Sequence, residues 1–182
     1  KCLCGALGKY GKSYHIHSRN PPKELEFIGS EEGGTVYKEW FNGIKVPENH
    51  EDEIYVIYIY KNPTNAIFSR FANPAHLEHI QTNKNIKLAD VIREKKDLYG
   101  IQEFYSNYTQ NKNERNYKIY AVKYEELFEK RDELSKILQI GPLTLNKKET
   151  KYDKPKNTLQ ILKDIYKETI QEMSENDFIK IT

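Results

Sequence analysis

Tyr55–Phe71 reads YVIYIYKNPTNAIFSRF, and its first half decides the fold. Ile54–Tyr60 is a nearly unbroken run of β-branched and aromatic residues, the pattern of a strand covered on both faces, as in a parallel sheet. Lys61, Asn62 and Pro63 then stop the strand, and a helix is expected from about Thr64. Ser69 follows eight residues after the lysine, on that helix. A cation at the end of a buried strand, with a hydroxyl on the next helix, suits a phosphate, which takes charge and hydrogen bonds together.

Upstream, Cys2–Leu7 is expected as a short buried strand. The glycine-punctuated turn Gly8–Gly11 follows it, then a short helix that Pro21 and Pro22 cannot continue. Leu25–Ile28 and Gly43–Val46 are two further expected strands, with a loop at Gly29–Gly34 and a helical turn at Val36–Phe41 between them. Downstream, a helix is expected over Ala75–Gln81, and Leu88–Tyr108 reads as helix in two pieces broken near Gly100. Tyr117–Val122 is the next strand. Leu127, Phe128, Leu134, Ile137 and Leu138 mark one face of an amphipathic helix beginning near Tyr124. Leu159, Leu162, Ile165, Tyr166, Ile170 and Met173 stripe a final one. Strands alternating with helices predict an α/β fold in three layers, a mostly parallel sheet flanked by helices. Such folds bind ligands at the carboxyl ends of the strands, where both Lys61 and the glycine turn are expected.

A length of 182 residues favours one domain over the whole chain, 1–182. The 14 tyrosines supply apolar area that the aliphatic residues alone would not. A net charge of only +2 gives no global basic field, which argues against a nucleic-acid partner. No apolar run approaches the ~20 residues that span a membrane. KCLCGAL is too short for a signal peptide, so a soluble, cytoplasmic chain is expected. Cys2 and Cys4 are poorly spaced to bridge each other and read as two thiols in a reducing compartment.

Ala6–Ser13, ALGKYGKS, follows the expected first strand and fits a relaxed phosphate-loop pattern. Glycines there let backbone N–H groups wrap an anion, and the next helix would point its positive end at it. In a P-loop nucleotidase Lys12 would hold the terminal phosphates and Ser13 a magnesium ion, with an aspartate at a second strand end completing the metal site. The obvious second strand ends in Lys61, and no other expected strand ends in aspartate. That counts against a magnesium nucleotidase.

Three segments together resemble the sulfotransferases. Lys61-Asn62-Pro63 with Ser69 is similar to the family's 3′-phosphate segment, with lysine for its usual arginine. Gly8-Lys9-Tyr10-Gly11-Lys12-Ser13 is similar to its 5′-phosphosulfate loop: Lys9, Gly11 and Ser13 match, while Gly8, Tyr10 and Lys12 depart. Tyr120–Leu127, YAVKYEEL, resembles the family's strand-to-helix segment Tyr-Glu-Asp-Leu. The likeness runs roughly from Gly5 to Ile140.

This resemblance implies a P-loop NTPase/sulfotransferase-like fold. It also implies sulfuryl transfer from 3′-phosphoadenosine 5′-phosphosulfate to a hydroxyl or amine acceptor, with no metal. Lys9, Tyr10, Gly11, Lys12 and Ser13 would then grip the 5′-phosphosulfate, and Lys61 and Ser69 the 3′-phosphate, helped by Arg70. Lys9 would also act catalytically, neutralising charge on the leaving phosphate oxygen. For the general base, Glu24 and His50 stand first, with Glu26 and His15 as further alternatives. Lys147 and Lys148, or Lys151, could stand in for the family's later glycine-rich segment, and Trp40 could stack on adenine. His76 and His79 could line an acceptor wall. Two alternatives stay open: a P-loop kinase or NTPase with a degenerate metal site, and a non-catalytic relative that binds nucleotide or a partner.

Overall fold

In the computed structural model, the apolar half of Tyr55–Phe71 forms strand β1, Val56–Tyr60. The structure describes residues 2–10, 18–21, 55–71, 77, 82–83, 85–110, 115, 117–147 and 152–182. Upstream of β1, Cys2–Leu7 is a helix, α1. β1 pairs in parallel with β2, Ile119–Lys123, with Val56 opposite Ile119 and Tyr60 opposite Lys123. Parallel neighbours need a long crossover. It contains α2 (Pro63–Ala66), a wider π-helical turn (Ile67–Phe71), α3 (Leu88–Glu94) and α4 (Ile101–Thr109). The chain then passes α5 (Arg131–Ile137), α6 (Lys156–Ile165) and α7 (Lys167–Glu175) to β3, Ile179–Ile181, which pairs antiparallel with β2.

Successive strand residues point to opposite faces, so each face of the sheet meets its own helices. Ile57, Tyr120 and Val122 pack with Leu3 and Ala6 of α1 and Leu134 of α5. Tyr58, Tyr60 and Ala121 pack with Tyr105 of α4 and Met173 of α7. Tyr58 stacks on Tyr108 with centroids 4.3 Å apart, so the tyrosines do supply core area. A further cluster joins Ile67 and Phe71 of the π-helical turn to Val91, Tyr99, Leu162 and Tyr166, and anchors the turn that carries Ser69. The fold is therefore α/β, with helices on both faces of a small mixed sheet ordered β1-β2-β3.

Several expectations hold here. β1 is a strand, a helix follows it, and the Leu88–Tyr108 segment is two helices broken around Gly100. Gly100 adopts φ +63, and a Cβ there would lie 2.7 Å from Arg19 Nη2. Arg19 donates to the Tyr99 carbonyl at 3.0 Å and also to the Gly100 carbonyl, tying the break down.

Four expectations are corrected. Cys2–Leu7 is a helix rather than a strand; Leu3, Ala6 and Leu7 sit at helical spacing and face one cluster, which a six-residue apolar run does not distinguish from a strand. Among the described residues the sheet is mixed, one parallel and one antiparallel pair, because the three-residue β3 runs antiparallel to β2. Residues 124–130 are turns, and the helix begins at Arg131, because Tyr124 N–H donates back to the Tyr60 carbonyl at 2.9 Å. The final helix is two, meeting at Tyr166, whose φ of −103 leaves the helical path. The buried Tyr166 hydroxyl donates to Asp97 Oδ1 at 2.6 Å. The expected elements at Leu25–Ile28, Val36–Phe41, Gly43–Val46 and, save Leu77, Ala75–Gln81 lie outside the described residues. Among the described residues no helix is long and apolar enough to cross a membrane.

Candidate functional site

The carboxyl end of β1 gathers a polar cluster around Lys61. Asn62 caps α2: its Oδ1 accepts from Thr64 N–H at 3.0 Å and from the Thr64 hydroxyl at 2.7 Å. Pro63 fits the first helical position, where an N–H would have no partner. This sharp start and the π-helical turn bring Ser69 back beside the strand end. Lys61 Nζ donates to Ser69 Oγ at 3.3 Å, and the Ser69 hydroxyl donates to the Ala66 carbonyl at 3.2 Å.

β2 leaves the sheet alongside and closes over the same place. The Tyr124 ring lies 4.9 Å from Lys61 Nζ, a cation–π contact. Glu125 then accepts from Asn62 N–H at 3.0 Å and from Asn65 Nδ2 at 3.2 Å. Asn65 Oδ1 in turn accepts from Lys154 Nζ at 2.6 Å. Burial holds the Lys61 ammonium below the usual lysine range. Glu125 opposes that shift, while Lys154 and Arg70 add to it, so two further cations and one carboxylate lie within electrostatic reach of Lys61. Such a cluster offers a point charge, a hydroxyl and mutually repelling cations that an oxyanion would relieve.

The structure thus brings together Lys61 and Ser69, with Arg70 within electrostatic reach. It does not bring the glycine turn into the expected setting. Gly8–Tyr10 follows helix α1, not a strand, and Lys9 is exposed. Tyr10 is docked instead: its hydroxyl donates to the Pro142 carbonyl at 2.8 Å, and its ring lies where a Cβ on Gly141 would come within 3.0 Å. Lys147 lies 5.9 Å from the Phe128 ring centroid. Gly11, Lys12, Ser13, His15, Glu24, Glu26, Trp40, His50, His76, His79, Lys148 and Lys151 lie outside the described residues.

Glu125, Asn65 and Lys154 are the site residues that the sequence alone did not single out. Glu125 stands inside YAVKYEEL, so a signal existed without a partner to interpret it. Lys154 belongs to a lysine-rich loop in which nothing local distinguishes one lysine from the next. Among the described residues no group of three or more His, Cys, Asp or Glu side chains could hold a metal ion. Compared with known proteins, the chain matches no family model, no curated protein and no solved structure.

Proposed function

We propose that the protein is a sulfotransferase-like binder of 3′-phosphorylated adenosine nucleotide. The 3′-phosphate would rest on Lys61 and Ser69, with Arg70 and Lys154 adding field. The observation that carries this is the Lys61 Nζ–Ser69 Oγ contact at 3.3 Å, at the carboxyl end of a strand in a parallel pair. The reaction such binding would serve is sulfuryl transfer from 3′-phosphoadenosine 5′-phosphosulfate to a hydroxyl or amine acceptor. Lys9 remains the proposed partner of the 5′-phosphosulfate, and Glu24 or His50 the proposed base.

One observation favours a second reading, a relative that binds the nucleotide without transfer. The Lys9 turn follows a helix, so it lacks the strand that normally aims such a turn at a phosphate. The same fact weighs against a P-loop kinase, as does a strand that ends in Lys61 rather than in the metal-binding aspartate of such enzymes. Calorimetric titration separates these. Adenosine 3′,5′-bisphosphate should bind without magnesium and more tightly than Mg-ATP. Preference for Mg-ATP would favour the kinase, and binding of neither would overturn the nucleotide assignment. With binding present, assay of sulfuryl transfer from the phosphosulfate donor divides enzyme from binder.

A further inference from the structure

The donors at the end of β1 already hold an oxyanion, and it belongs to the protein. The Glu125 carboxylate takes the backbone N–H of Asn62 and the side-chain amide of Asn65, and through Asn65 it is linked to Lys154. Glu125 is an exposed residue on a turn, so its side chain can swing into solvent without unpacking the core. Glu126, its neighbour, is engaged elsewhere, with Lys130 at 2.6 Å and Lys123 at 3.3 Å.

We propose that Glu125 is a built-in placeholder for the anion site. With no ligand bound, its carboxylate occupies the Asn62 and Asn65 donors; an incoming phosphate monoester displaces it and takes them over. This deepens the anion-site assignment above and rests on it. The contact sets the affinity threshold: a ligand must outcompete a carboxylate already in place. Weakly basic, singly charged groups fail where a phosphate dianion succeeds, since acceptor strength and charge both enter the exchange. It also gives YAVKYEEL a task, since the segment leaving β2 supplies the carboxylate that covers the donors on the segment leaving β1.

The test uses inorganic phosphate as probe and leaves the nucleotide aside. In the wild-type protein, the Asn62 amide resonance should shift as phosphate saturates the site, because its acceptor changes. Glu125→Gln keeps the shape and an oxygen acceptor but removes the charge, and should bind phosphate about fivefold more tightly, the order of one exposed charge–charge contact. Glu126→Gln, which removes the same charge one residue away, should change affinity by less than about twofold. The proposal is overturned by an Asn62 amide that stays still at saturation, by no gain in Glu125→Gln, by an equal gain in Glu126→Gln, or by no phosphate binding at all. The wild-type amide needs no variant, so a Glu125→Gln chain that fails to fold still leaves a decisive result. Failure here alongside tight binding of adenosine 3′,5′-bisphosphate would leave the nucleotide assignment standing; phosphate exchange without nucleotide binding would do the reverse.

Discussion

The end of β1 and the turn after α1 carry similar side chains, a lysine and a hydroxyl beside a bend, yet among the described residues only the first gathers a cluster. Lys61 is half-buried against Tyr124, hydrogen-bonded to Ser69 and within electrostatic reach of Arg70 and Lys154. Lys9 stands in solvent, and the Tyr10 hydroxyl is engaged by the Pro142 carbonyl. Residue type offers a chemistry; a second element closing over it decides whether that chemistry is concentrated. At β1 the second element is the segment leaving β2, which the parallel pairing delivers to the same edge.

The largest effect that would break this contrast lies beneath the π-helical turn. Ile67 is fully buried at 0% exposure, so Ile67→Ala should cost about 2–4 kcal/mol of stability, read by denaturant unfolding. It should also weaken anion binding, because the turn positions Ser69. A cost under about 1 kcal/mol would mean that the turn is not anchored as described. The smallest effect belongs to the other region. Lys9→Ala should weaken adenosine 3′,5′-bisphosphate by only about two- to fivefold, the scale of one exposed charge at its 5′-phosphate. A tenfold loss would sharpen the case for Lys9 at the 5′-phosphosulfate, and no loss would remove it.

What was legible in the sequence follows the same division. Val56–Tyr60 is readable as a strand because its apolar character is continuous, and Lys61-Asn62-Pro63 as its stop because proline and a capping asparagine act locally. The break at Gly100 was readable for the same reason. Cys2–Leu7 was not, since six mostly apolar residues satisfy either period until a partner surface selects one. Residues 124–130 carry a helix-like stripe but are held as turns by the strand end they close over, a constraint with no local trace. Glu125 reaches Asn62 across 63 residues of chain and Lys154 reaches Asn65 across 89, so half of the cluster is written only in the tertiary fold.

The most direct test of the central claim compares two ligands on one variant. Lys61→Ala should weaken adenosine 3′,5′-bisphosphate by roughly 10- to 100-fold, the scale of one hydrogen bond to a charged group. Adenosine 5′-diphosphate, which lacks the 3′-phosphate, should lose less than about twofold. That split would locate the 3′-phosphate at the end of β1, and equal losses for the two ligands would contradict it.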